Sequence, residues 1–167
     1  VYEKNDNWAG SMNYSWTPVF RAWEPFKNIK SRSRWLNLFR TFGLNWIPQN
    51  VALNSEMTRT YYELQERDME EDENSKLPLT FNEQFLWNRD FSLRWDFTKN
   101  LHVNFESATN AEIEEPYTPV NKNLYAEHYQ AWKDSVWQSI KHMGTPLDYQ
   151  QNFTLSYQPP INLIPTL

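Results

Sequence analysis

Cysteine is absent from this 167-residue chain. That removes disulfides, thiolate metal sites and a cysteine nucleophile together. Glycine occurs only three times, too few for a glycine-rich loop that cradles phosphate, and no G-x-S-x-G elbow is present. No run approaches 18 apolar residues, which excludes a membrane-spanning helix. No charged segment followed by a short apolar core reads as a secretory leader. Basic residues number 16 against 21 acidic ones, for a net charge of −5. Without a Lys/Arg block there is no footprint for phosphate, so nucleic acid is not expected as a partner. The length fits one domain with a sizeable core. The chain begins at Val1, as an internal or processed piece would.

Aromatic residues are plentiful instead. They make up 17% of the chain, with nine Trp, nine Tyr and ten Phe, and asparagine occurs 18 times. Many aromatics in a chain of mean hydropathy −0.82 must be interleaved with polar residues, the pattern of strands with one wet face. Trp8, Met12, Tyr14 and Trp16 alternate with Ala9, Ser11, Asn13 and Ser15, which a strand sorts cleanly and a helix does not. A second strand is expected from Arg34 to Ile47, with Leu36, Leu38, Phe42, Leu44 and Trp46 on one face, stopped by Pro48. A third runs from Val51 to about Leu64 with weaker alternation, because Arg59 interrupts its apolar face.

The clearest pair flanks Thr98-Lys99-Asn100. Phe91, Leu93, Trp95 and Phe97 alternate with Ser92, Arg94 and Asp96 before it. Leu101, Val103 and Phe105 alternate with His102, Asn104 and Glu106 after it. Two such runs joined by a short polar turn predict a β-hairpin. A last strand covers Asn152 to Gln158, with Phe153, Leu155 and Tyr157 facing one way. One segment breaks this period. Tyr125, Tyr129, Trp132, Val136, Ile140 and Met143 fall on one face of an α-helix over about Leu124 to His142. Asn121 or Asn123 is the expected N-cap and Gly144 the left-handed residue after its end. Glu66 to Ser75 reads as a solvated acidic loop, and Ala111 to Pro119 as a connector into the helix.

Catalytic constellations are weak. The acidic loop lacks the spacing and glycine turn of a calcium-binding EF-hand. Glu112, Glu114 and Glu115 sit in a loop where sequence gives no carboxyl separation. His102, His128 and His142 match no ligand spacing. Asn152-Phe153-Thr154 fits a glycosylation sequon but falls inside a predicted strand. The chain is therefore expected to be no enzyme and to use no metal or cofactor.

Two environments could cover the apolar faces. A second sheet would do so in a soluble sandwich, whose core favours Val, Ile and Leu. Lipid would do so in an outer-membrane barrel, with aromatics gathered at the interfaces. Trp, Tyr and Phe dominate here and several end their strands, so the expected fold class is mainly β: an antiparallel transmembrane β-barrel segment with one inserted amphipathic α-helix. About six strands cannot close a membrane barrel, since the smallest have eight. Residues 1–167 are thus expected to be a single segment of a larger barrel, with a helix-containing insertion at about 121–144. Met12, Tyr14, Trp16, Leu93, Trp95, Phe97, Leu101, Val103, Phe105, Phe153, Leu155 and Tyr157 are expected to face lipid or a packed apolar partner. Arg94, Asp96, Asn104 and Glu106 are expected to face water. The helix is expected to fold over a barrel mouth or to plug part of the lumen. A soluble surface β-sandwich that binds glycans through exposed Trp and Tyr is the alternative, and a hydrolase would need converging carboxylates.

Particular stretches carry a resemblance. Phe85–Leu101 (FLWNRDFSLRWDFTKNL), Ala108–Pro116 (ATNAEIEEP), Tyr129–Ile140 (YQAWKDSVWQSI) and Gly144–Tyr149 (GTPLDY) resemble the SprA/Sov family of Bacteroidetes outer-membrane proteins. Leu44–Pro48 (LNWIP), Arg59–Glu63 (RTYYE) and Arg67-Asp68 are similar to it as well. The likeness runs from about Trp35 to the end and is most specific from Phe85 to Tyr149. It implies a sector of a very large single-chain barrel, the outer-membrane translocon of the type 9 secretion system. The implied partners are the remainder of the barrel, PorV-type shuttle and plug proteins, secreted cargo proteins and membrane lipid. In gliding species such channels export the adhesins of gliding motility. The family offers no catalytic residues to carry over.

Overall fold

The computed structural model describes residues 2–30, 33, 40, 42–66 and 77–159. Alternating sequence becomes five long strands: β1 (Tyr2–Trp16), β2 (Asn50–Gln65), β3 (Thr80–Thr98), β4 (Leu101–Glu112) and β5 (Thr145–Tyr157), with one helix, α1 (Ala126–Lys141), between β4 and β5. The strands form one sheet in the order β1-β2-β3-β4-β5. It is an antiparallel meander, and β1 and β5 remain as its edges. Register between β3 and β4 is set by the Ile113 N–H donating to the Phe85 carbonyl at 2.8 Å and by Asp96 standing across from His102. Odd-numbered residues of both strands therefore share a face.

Several strands are longer than the alternation predicts. β5 begins at Thr145 rather than Asn152. Leu147 and Tyr149 continue the parity of Phe153, but Gln151 breaks the apolar series and Pro146 reads as a turn. Proline lacks the N–H of a ladder donor and is tolerated at the start of this edge strand. β3 begins at Thr80, where Glu83 and Arg89 hide the alternation. β4 runs through Glu112, so the connector into the helix starts at Ile113, not Ala111.

The strand expected over Arg34 to Ile47 is not found in its described part. Residues 34–39 and 41 lie outside the described residues, as do 67–76 of the acidic loop. Phe42 to Ile47 makes only isolated bridges, Leu44 to Trp23 and Leu44 to Thr98. Side chains take the place of a ladder here. Asn45 Nδ2 donates to the Asp96 carbonyl at 2.7 Å, and Gln49 Oε1 accepts from the Asp96 N–H. Five strands, not about six, are therefore present among the described residues.

α1 lies where the helical period put it, but its cap differs. The N-cap is Tyr125, without a side-chain hydrogen bond. Asn121 instead organises the preceding turn, its Oδ1 accepting from the N–H groups of Asn123 and Leu124 at 3.1 and 3.3 Å. At the other end Gly144 N–H donates to Ser139 O and Met143 N–H to Ile140 O, at 2.8 and 3.0 Å, the paired bonds of a Schellman motif. Met143 and Gly144 both have positive φ, 66° and 71°. A Cβ on Gly144 would stand 2.8 Å from the Glu112 carbonyl oxygen, so the turn requires glycine twice over.

The fold divides into two compact units. The first comprises the described residues among 1–12, 55–89 and 109–149 and contains α1. Its apolar centre is Phe85, Ile113 and Val136, with Met57, Trp87, Trp132 and Ile140 packed against it. Full burial of side chains such as Phe85 and Ile113 stabilises by about 1.5–3 kcal/mol each. The second comprises the described residues among 13–54, 90–108 and 150–159.

Candidate functional site

In the second unit the two faces of the sheet differ in kind. A concavity of about 660 Å³ crosses all five strands and is lined by residues 13–15, 52–54, 90–92, 106–108 and 150–152. The middle members include Tyr14, Leu53 and Phe91. Their next neighbours on the same side, Trp16, Leu93, Phe105 and Phe153, do not line it. Strand alternation puts the outer members, Asn13, Ser15, Ala52, Asn54, Asp90, Ser92, Glu106, Ala108, Gln150 and Asn152, on one side of the sheet and Tyr14, Leu53 and Phe91 on the other, and both sets line the concavity. The side of the outer members is largely polar. Asn54 Nδ2 donates to Asp90 Oδ2 across it at 3.2 Å. The Asp96 carboxylate lies 2.7 Å from His102 Nδ1 and 3.6 Å from Arg94 Nε.

The opposite side is apolar. By the same alternation it carries Tyr14, Trp16, Leu93, Trp95, Phe97, Leu101, Val103, Phe105, Phe153, Leu155 and Tyr157. The Phe91 and Phe105 rings lie 5.9 Å apart and those of Trp95 and Phe97 5.5 Å apart. Trp95 Nε1 also donates to the Asn45 carbonyl at 2.8 Å. Those on β3 and β4 are half-buried, whereas Phe153, Leu155 and Tyr157 are 62%, 58% and 63% exposed. Tyr14 and Trp16 are exposed too, as is Met12 in the first unit. Arg94, Asn104 and Glu106 are exposed on the polar side and Asp96 is half-buried there. Strand parity alone puts the expected apolar and polar sets of this unit on opposite sides of the sheet.

The first unit holds a group that the sequence did not single out. Arg59 on β2 forks onto Glu115, with Nε to Oε1 at 2.7 Å and Nη2 to Oε2 at 2.9 Å. Their side chains are 11% and 3% exposed. Trp132 of α1 donates its Nε1–H to the same Glu115 Oε2 at 2.8 Å, and the guanidinium lies 5.0 Å from the Trp132 ring and 5.4 Å from that of Tyr61. Burial lowers the tendency of Arg59 to stay charged, but the bond and charge of Glu115 outweigh it and hold its pKa above the ordinary value. Tyr61 donates to Glu63 Oε2 at 3.0 Å and accepts from the Val120 N–H at 3.3 Å. Burial pushes its phenol up to about 12. Beside this network Glu83 has a buried Oε2 without a hydrogen-bond partner among the described residues. Burial first, and the charge of Glu115 next, push its carboxyl up to about 7 against the opposing pull of Arg59. The sequence offered Arg59 at an apolar-face position and Glu115 among the candidate carboxylates, but the two lie 56 residues apart and no periodicity joins them.

The remaining candidates have local partners. Glu114 Oε1 accepts from the Thr145 hydroxyl, and His128 stacks on Tyr125 at 5.7 Å. Among the described residues no group of three or more His, Asp or Glu side chains could hold a metal ion. No described helix is long and apolar enough to cross a membrane, which says nothing about crossing by strands. Compared with family models and with curated proteins, the chain matches none.

Proposed function

We propose that this chain is a wall sector of a very large outer-membrane β-barrel channel, of the SprA/Sov kind, that passes folded proteins in type 9 secretion. The observation that carries the reading is the two-sided sheet of the second unit. Phe153, Leu155 and Tyr157 are exposed on one side, and the polar Asn13, Ser15, Asp90, Ser92 and Asn152 fall on the other by strand alternation. Lipid outside and water inside would suit these faces. A soluble sheet with large exposed aromatics would leave that surface wet, at a cost of about 25 cal/mol per Å² of apolar area. The spanning segments in this reading are Asp90–Thr98, Leu101–Ala108 and Gln150–Tyr157, near the nine to eleven residues a bilayer needs. The start of β3, Thr80–Arg89, lies beyond them.

The open edges at β1 and β5 then require neighbours, because an unpaired strand edge in lipid costs several kcal/mol per backbone group. The remainder of the barrel supplies them in this reading. Cargo, a PorV-type shuttle and a plug protein are its further partners, and gliding adhesins are among the cargo where the cell glides. The wall needs no catalytic group, and energy for transport enters elsewhere. Fractionating native cells and sizing the polypeptide that carries the Phe85–Tyr149 peptides by mass spectrometry tests this. An outer-membrane polypeptide many times larger than 20.2 kDa is the expected result. A free 20.2 kDa species in the soluble fraction would overturn it in favour of a glycan-binding surface protein.

A further inference from the structure

The network under α1 ties a helix to a sheet through one carboxylate. Glu115 accepts two bonds from Arg59 on β2 and one from Trp132 on α1. The Ser139 hydroxyl also receives the Glu114 N–H at 3.0 Å, and Val136, Trp132 and Ile140 of the helix pack with Phe85 and Ile113. A second carboxyl, that of Glu83 on β3, has one oxygen buried without a hydrogen-bond partner among the described residues and feels the charges of both Glu115 and Arg59. One guanidinium thus serves two carboxyl groups. We propose that Glu83 is a proton-controlled latch on α1: in its neutral form it leaves Arg59 and Trp132 on Glu115 and the helix docked, and in its ionised form it competes for Arg59 and loosens the helix.

The charges around it agree in sign. From β2 it interacts with Arg59 and Tyr61, and from the connector before α1 with Glu115; Glu63 of β2 accepts from the Tyr61 hydroxyl. β1 contributes Asp6, which acts on Arg59, and Lys4, whose ammonium lies 5.3 Å from the Tyr61 ring and bonds the Val120 carbonyl. α1 offers only the neutral Trp132 indole. Three carboxyl groups besides Glu83 and a single buried cation mean that a further negative charge is opposed, and a proton on Glu83 removes it. The reading does not depend on whether lipid lies against the other unit.

Linkage gives the pH window. In the docked state Glu83 titrates at about 7, against an ordinary 4.5 when exposed. Below the lower value both states hold the proton and docking is insensitive to pH. Between the two, the released state has lost a proton that the docked state keeps, so docking weakens as pH rises; above the higher value it levels off.

Hydrogen–deuterium exchange of the intact protein in detergent, corrected for intrinsic exchange rates, reads this directly. Protection of the Ala126–Lys141 amides should fall about tenfold or more between pH 5 and pH 7, a tenfold step being one unit of linkage, while β4 stays unchanged. Glu83→Gln, isosteric and always neutral, should keep helix protection at the acid value throughout. A wild-type profile that is flat from pH 5 to 8 overturns the proposal whether or not the variant folds. The same fall persisting in Glu83→Gln overturns it too.

Discussion

Removing Arg59 tests the network most severely, because the two partners of its ion pair are so unevenly replaceable. Arg59→Ala leaves Glu115, 3% exposed, with one remaining donor, the Trp132 indole at 2.8 Å. It also leaves Glu83 with no cation to offset its burial. Stripping one member from a buried pair costs about 3–5 kcal/mol, since the other charge is stranded. The surviving indole bond puts the expected loss near the lower end, about 3 kcal/mol at pH 8. Below pH 5 Glu83, which titrates at about 7 in the wild type, is neutral, so the loss should shrink. The double variant Arg59→Met with Glu115→Leu removes both charges, and should come within about 1 kcal/mol of the wild type or exceed it. Denaturant unfolding followed by tryptophan fluorescence measures the wild type and both variants, and adding the singles Arg59→Met and Glu115→Leu completes a cycle that isolates the coupling between the residues. A loss below about 1 kcal/mol for Arg59→Ala would be that of a solvated surface pair and would refute the assignment of a buried anchor.

The two faces of the second unit make opposite forecasts. Trp95→Arg should destabilise by about 2–4 kcal/mol if that position lies near the bilayer midplane, whereas Ser92→Arg on the polar side should be nearly neutral; equal losses in a micelle unfolding assay would remove the lipid-facing assignment. Gly144→Ala should cost about 1–2 kcal/mol from its left-handed backbone alone, and more because the new methyl stands 2.8 Å from the Glu112 carbonyl oxygen. A melting temperature unchanged by Gly144→Ala would mean that the turn relaxes freely.

Alternation made the hairpin and the helix legible, because both depend on neighbours a few residues apart. Phe91 to Phe105 needs only period two and a polar turn, and Tyr125 to Met143 only period 3.6. The long extensions were hidden where charge enters the strand: Glu83 and Arg89 in β3, and Lys4 and Asp6 in β1, sit at positions where alternation asks for apolar side chains. The segment from Phe42 to Ile47 fails for the reverse reason. It alternates well, yet Asn45 and Gln49 spend their side chains on the Asp96 backbone, so pairing there is local and irregular. The Arg59–Glu115–Trp132 group was out of reach because its members come from β2, a connector and α1, and no local rule joins them.

What covers an apolar face is a question that period two cannot answer, since lipid and a second sheet ask the same alternation of a strand. Residue size and placement separate them. A second sheet would press against the apolar side with interdigitating Val, Ile and Leu, whereas this side is built of Trp, Tyr, Phe and Leu, and β5 is exposed along its whole length. The side that carries Asn13, Ser15, Ala52, Ser92 and Ala108 also carries Asp90, Glu106 and Gln150, so it is polar and not uniformly small. The division of faces is sharpest on β1 and β3, where Tyr14 and Trp16, and Phe91, Leu93, Trp95 and Phe97, form unbroken apolar series, whereas Ser107 in β4 and Gln151 in β5 interrupt theirs.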